Sequence, residues 1–162
     1  MISCPELQFQ IQDLPDQGIP VEGEVPFAAL EVADSERVRC PNPLSFRLHV
    51  APVQDGVLVT GQLTSELLMA CDRCLASVPV PIAELSVCHH LENVEGVVVD
   101  LTEELREDIL LVFPQTCLCQ DECHGLCPDC GRNLNDGPCS CGASDDRENP
   151  WSALDGLDFT EQ

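Results

Sequence analysis

The sequence predicts an α+β fold: an antiparallel, β-rich amino-terminal part, one amphipathic helix at about 100–113, and a small cysteine-rich carboxy-terminal module. Three observations carry this. Apolar residues alternate with period two in several stretches before residue 92, the pattern changes to a helical one after Asp100, and seven of the 12 cysteines crowd between Cys117 and Cys141. The units expected are a β-rich domain ending in the helix (1–114), the cysteine-rich module (115–142) and an acidic tail (143–162). A chain of 162 residues suits one domain with a satellite too small to bury a core of its own.

Taken in order, LQFQI (Leu7, Phe9, Ile11) and LSFRLHV (Leu44, Phe46, Leu48, Val50) alternate as half-buried strands do. Asp55-Gly56 signals a turn between LSFRLHV and VLVTGQLTSELLM, so these two form a hairpin. In the second of them Val57, Val59, Leu63, Leu67 and Met69 share one face. CDRC follows, and LASVPVPIAELSVCHHL then resumes an extended pattern, which predicts a second hairpin with Cys71 and Cys74 at its tip. Pro79 and Pro81 place its returning strand at a sheet edge or at a bulge. Asp100 with Glu103 has the spacing of a capping box. Leu101, Leu105, Ile109 and Val112 then form an apolar stripe facing the sheet, and Glu103, Glu104, Glu107 and Asp108 fall on the other side. Pro114 ends the helix. In the tail, Trp151, Leu154 and Leu157 suggest a terminal turn packing on its own domain.

Charge restricts the partners. The 29 acidic residues face 7 basic ones, all arginines, for a formal net charge of −22. Phosphate backbones are gripped by several cations at once. No segment here is dense enough in arginine to supply them, so direct nucleic-acid binding is not expected. Adhesion to an anionic membrane is not expected either. An acidic field instead attracts basic partners and speeds their encounter. The opening MISCPELQFQ lacks the basic and apolar regions of a signal peptide, and no run is long and apolar enough to span a membrane. A reduced, cytoplasmic protein is therefore expected, in which clustered CxxC pairs bind metal rather than form disulfides.

Cys127-Pro-Asp-Cys130-Gly131 has the form of a zinc knuckle, in which two thiolates two residues apart reach one ion. Cys139-Ser140-Cys141 follows across GRNLNDGP, a segment rich in turn-forming residues. Cys127, Cys130, Cys139 and Cys141 can thus close one four-cysteine site. Cys119 and Cys123 need two further thiolates, and the closely spaced pair left is Cys71 with Cys74. That pairing makes a second site, which pins the segment after the helix onto the hairpin tip. A competing arrangement gathers Cys119, Cys123, Cys127 and Cys130 around one ion, and His124 could replace a thiolate. Cys4, Cys40, Cys88 and Cys117 stand apart and read as small buried hydrophobes. His89 and His90 point to opposite faces of a strand and cannot readily share an ion.

Four thiolates close a structural zinc site, whereas a catalytic zinc keeps an open position for water. The chain also lacks HExxH, HxE with PCxxC, GxSxG and a P-loop, so no enzyme activity is expected. The alternatives from other classes are a thiol-based redox switch and an iron–sulfur electron carrier. The spacings typical of ferredoxins are not present.

Together, CDRCL (71–75), DLTEELREDILLVFP (100–114), CQDECHGLCPDCGRNLNDGPCSC (119–141) and an NPWSAL tail resemble the YceD family, the large ribosomal RNA (23S rRNA) accumulation proteins. The resemblance implies a non-enzymatic role in accumulation or processing of large-subunit ribosomal RNA in bacteria and plastids. It also implies that some members keep CxRC without the GLCPxCG tail, and it carries over no catalytic residue. The family's gene commonly neighbours that of a small, very basic large-subunit ribosomal protein. With the charge, this leads to the expectation of an acidic, zinc-stabilised adaptor for a basic ribosomal protein or assembly factor.

Overall fold

In the computed structural model, residues 7–92 and 98–141 are described. In chain order they form β1 (Gln8–Gln10), β2 (Ile19–Val25), β3 (Val38–Arg39), β4 (Leu44–Val53), β5 (Gly56–Ala70), β6 (Ser77–Glu92), β7 (Val98–Asp100) and the helix α1 (Thr102–Val112). The expected acidic tail, with Trp151, Leu154 and Leu157, lies outside the described residues, and so does Cys4.

The two predicted hairpins are the centre of the fold. β5 pairs with β4 through the turn at Gln54-Asp55, and along its whole length with β6. β2 adds to the far side of β4, and β3 pairs with β5 where β4 has ended. All these pairs are antiparallel. β1 and β7 form a separate two-stranded ribbon.

One face of the large sheet is apolar. Leu44, Phe46, Leu48 and Val50 of β4 and Val57, Val59, Leu63, Leu67 and Met69 of β5 are buried on it. β6 reaches the same face in two sets, Val78, Val80 and Ile82 before residue 83 and Leu85, Val87, His89 and Leu91 after it. A period-two pattern cannot change from even to odd positions unless a residue is inserted. The insertion is a bulge, where Leu63 pairs with Leu85 and Ser65 with Ile82, and Glu84 takes a left-handed conformation at φ 49°. Pro79 and Pro81 lie before the bulge on β6, whose outer flank is unpaired among the described strands. As alternate residues point the same way, both prolines turn their missing N–H groups to the open edge.

The bulge also corrects one expectation. After it, even positions of β6 face solvent, so Cys88 is exposed rather than a buried hydrophobe. Cys117 is buried as expected, and Cys40 is half-buried. Burial, helped by nearby Asp34, pushes the Cys40 thiol up to about 11.

α1 closes the apolar face by packing on the 3-10 turn Phe27–Leu30 and on β6. Leu105 and Ile109 are fully buried, and Leu101 just before the helix is buried with them. Val112, the fourth residue of the predicted stripe, is 36% exposed because the last turn runs past the surface that the first two turns cover. The helix starts one residue later than the capping pattern suggested, with Leu101 rather than Asp100 at the N-cap. Asp100 belongs to β7, but its carboxylate still accepts from the Thr102 backbone N–H at 3.0 Å and from Gln8 Nε2 at 2.8 Å. His89 Nε2 lies 2.6 Å from Asp108 Oδ2 and ties β6 to the helix.

Candidate metal centres

The sheet delivers Cys71 and Cys74 by hairpin geometry alone. β5 and β6 run together to Ala70 and Ser77, and the six residues between them form the tip. There the chain makes a turn also found in the cysteine-rich segment. The Leu75 N–H donates to the Cys71 carbonyl at 3.0 Å, and the Gly131 N–H donates to the Cys127 carbonyl at 2.9 Å. Leu75 and Gly131 have φ of 61° and 70°. CDRCL and CPDCG are thus two copies of one knuckle. In the first, a leucine occupies the left-handed position usually filled by glycine, at a cost of about 1–2 kcal/mol.

Residues 115–126 dock on this tip through the two residues between its cysteines. Asp72 exchanges bonds with Cys117, donating its N–H to the Cys117 carbonyl at 2.8 Å and accepting the Cys117 N–H on Oδ2 at 2.8 Å. Arg37, beside β3, lies 3.2 Å from Asp72 Oδ1 and also donates to the Gln115 carbonyl. Arg73 donates through Nη1 to the Cys123 carbonyl at 2.9 Å, while its own carbonyl accepts the Leu126 N–H at 3.2 Å. Gly125, at φ 76°, passes so close that a Cβ there would lie 3.1 Å from the Arg73 carbonyl oxygen.

The result is two groups of four thiols: Cys71, Cys74, Cys119 and Cys123 in one, Cys127, Cys130, Cys139 and Cys141 in the other, with sulfurs within 4.8 Å of one another in each. These are the groupings drawn from spacing. The competing set of Cys119, Cys123, Cys127 and Cys130 is not brought together, and His124 belongs to neither group. Sulfur–sulfur distances of 3.8 Å (Cys71–Cys123), 3.5 Å (Cys74–Cys119) and 3.3 Å (Cys127–Cys139) can be compared with the ideal. Tetrahedral Zn–S bonds of about 2.3 Å separate sulfurs by about 3.8 Å. The donor sets therefore fit a single tetrahedral ion each, after a small expansion of the tighter pairs.

The backbone is also arranged for thiolates. Burial opposes ionisation of Cys71, but the N–H groups of Arg73, Cys74 and Cys119 aim at its sulfur and pull the thiol down to about 6. Cys127 is lowered chiefly by the Cys130 N–H, and Cys123 chiefly by the side chain of Asn135. Cys119 is pushed up to about 12 by its contact with Cys74, and Cys141 to about 12 by its contact with Cys130. Four thiols side by side cannot all ionise unless a cation replaces the retained protons.

Asn135 is the residue that spacing alone did not reveal. It sits in the loop between the pairs of the second group, yet its Nδ2 donates to Cys123 Sγ of the first at 3.2 Å. Its Oδ1 accepts the His124 N–H at 2.8 Å and Gln120 Nε2 at 3.2 Å, and Asn133 Oδ1 braces it from behind. One amide therefore ties the loop between the second group's pairs to a thiol of the first. Asn135→Ala is expected to weaken metal retention at the Cys71/Cys74/Cys119/Cys123 group by roughly 10–100-fold, the usual cost of losing a hydrogen bond to a ligand. Competition with a chromogenic chelator measures it.

Comparison with known proteins then fixes the lineage. Residues 89–158 match the family described as large ribosomal RNA subunit accumulation protein YceD. This segment is of the YceD family. An uncharacterized protein of Mycobacterium leprae is 32% identical over 127 residues, covering 68% of this chain and 57% of that protein. YlbN of Bacillus subtilis is 25% identical over 126 residues, covering 70% of this chain and 73% of YlbN. The chloroplastic YCED homolog 1 of Arabidopsis thaliana, named a large ribosomal RNA subunit accumulation protein, is 36% identical over 44 residues, 27% of this chain and 14% of the plant protein. The chain spans about half the length of the mycobacterial relatives it matches. No solved structure matches it. The YceD match takes in α1 and the cysteine-rich segment but not Cys71 and Cys74, which the fold supplies from outside it.

Proposed function

We propose that the chain is a non-enzymatic factor for accumulation and processing of 23S ribosomal RNA during large-subunit assembly. In this reading it acts in the cytoplasm as an acidic adaptor for a basic ribosomal protein or assembly factor, with two structural zinc ions holding its shape. The observation that carries the reading is the YceD match, which lies on the segment bearing six of the eight clustered thiols. The charge of −22 supports a protein partner over naked RNA. Four sulfurs within 4.8 Å of one another suit one shared ion. A multi-iron cluster spreads its cysteines wider, around several metals and their bridging sulfides, so the thiol geometry favours a single ion over such a cluster, and zinc is the ion this reading assigns. Among the described residues no helix is long and apolar enough to cross a membrane.

In this account the adaptor shields the positive charge of its partner and delivers it to the growing subunit, and RNA lacking that protein is degraded. Tagged chain purified from cells should carry large-subunit proteins in a manner that nuclease leaves intact and high salt removes. Binding of bare ribosomal RNA fragments at physiological salt, without affinity for any ribosomal protein, would refute the reading.

A further inference from the structure

α1 carries more apolar surface than its packing uses. The stripe of Leu101, Leu105 and Ile109 is buried, yet Leu110 is 40% and Leu111 83% exposed. By helical spacing, Glu103, Glu107, Leu110 and Leu111 fall at i, i+4, i+7 and i+8, so one outward face runs from carboxylates to leucines. Its far end is negative too: the helix has no basic residue in its last turn, leaving the partial negative charge of its terminal carbonyls uncompensated by any side-chain cation of the helix there. Arg106 lies at the side and pairs with Glu103 at 3.2 Å.

We propose that this outward face of α1 is the docking surface for a basic, amphipathic segment of a partner protein. The leucines take up its apolar side chains, and Glu107 and the helix carboxy-terminus receive lysines or arginines on either side. The charge argues against the other occupants. A second copy brings the same −22 to a face that is already negative. Residues 143–162 are acidic, with Arg147 as their sole basic residue. The proposal rests on the adaptor reading above and names the surface that reading requires.

The test uses the full, metal-loaded chain and, as probe, the basic proteins extracted from purified large ribosomal subunits. Wild type is compared with Leu110→Ser/Leu111→Ser, with Glu103→Lys/Glu107→Lys, and with Glu22→Lys/Glu36→Lys, which makes the same charge change at exposed positions elsewhere. Circular dichroism and metal content check that each variant is folded. Both helix variants are expected to lose about tenfold or more in affinity for the bound protein, and the control pair about threefold or less. Leucine substitutions without effect, or equal losses in the two lysine variants, would overturn the proposal while leaving the adaptor reading standing. If wild type captures no basic protein, the adaptor reading itself fails and the surface with it. A wild-type dimer that the leucine variant dissociates in sedimentation would assign the face to a second copy and also overturn the proposal.

Discussion

Cys71→Ser is expected to release residues 115–126 from the β5–β6 tip while the sheet stays folded and the second thiol group stays closed. The docking hydrogen bonds at Asp72, Arg73 and Arg37 contribute roughly 1 kcal/mol each, and those on exposed groups less. A structural zinc ion contributes far more, about 10–16 kcal/mol in small zinc-binding peptides. A bound ion would therefore dominate the closure, with the hydrogen bonds setting its register. Hydrogen exchange measures the outcome. The Cys117 and Leu126 amides, bonded to Asp72 and Arg73, should lose their protection, whereas amides shared by β4 and β5 keep theirs. Cys130→Ser should do the reverse, loosening 127–141 and leaving the tip docked. If either variant unfolds both segments together, the two groups are not separate closures.

Gly61→Val is expected to have the second large effect, and on the sheet rather than the metal. A Cβ at Gly61 would lie 2.2 Å from the Arg47 carbonyl oxygen and 2.7 Å from Leu48 Cα, both backbone atoms of the paired strand. No rotamer relieves such a clash, so β4 and β5 must part. Overpacking typically costs 1–3 kcal/mol, and this contact belongs at or above roughly 3 kcal/mol. A urea midpoint lowered to match, with an unchanged slope, is the expected result. Because Cys71 and Cys74 ride on the far end of β5–β6, a metal ion added to the first thiol group should be held less tightly. The group from Cys127 to Cys141 should retain its own.

What the sequence made legible follows from how local each signal is. Both long hairpins showed because the alternation of β4 and β5 and the Asp55-Gly56 turn are contiguous in the chain. The thiol groups showed because metal coordination admits few spacings, and Cys71 with Cys74 was the pair left for Cys119 and Cys123. β2 did not show: IPVEGEV is broken by Pro20 and Gly23, and it is a strand because β4 offers it a partner. β3, two residues long, is fixed by pairing with β5 alone. The phase change between Ile82 and Leu85 was written in the sequence and marks the bulge, which is why Cys88 faces water. Asp72, Arg73 and Asn135 looked like ordinary polar loop residues. Their roles depend on contacts across 45, 50 and 12 positions of chain. No local pattern records such contacts.

The proposed function requires the eight thiols to form two separate single-ion zinc sites that hold the cysteine-rich segment on the sheet. Native mass spectrometry of protein purified without oxygen, with metal identified by elemental analysis, tests it most directly. Two zinc ions per wild-type chain are predicted, falling to one in Cys71→Ser and to one in Cys130→Ser. Iron with sulfide, a single ion shared by both groups, or full zinc content in either variant would contradict the account.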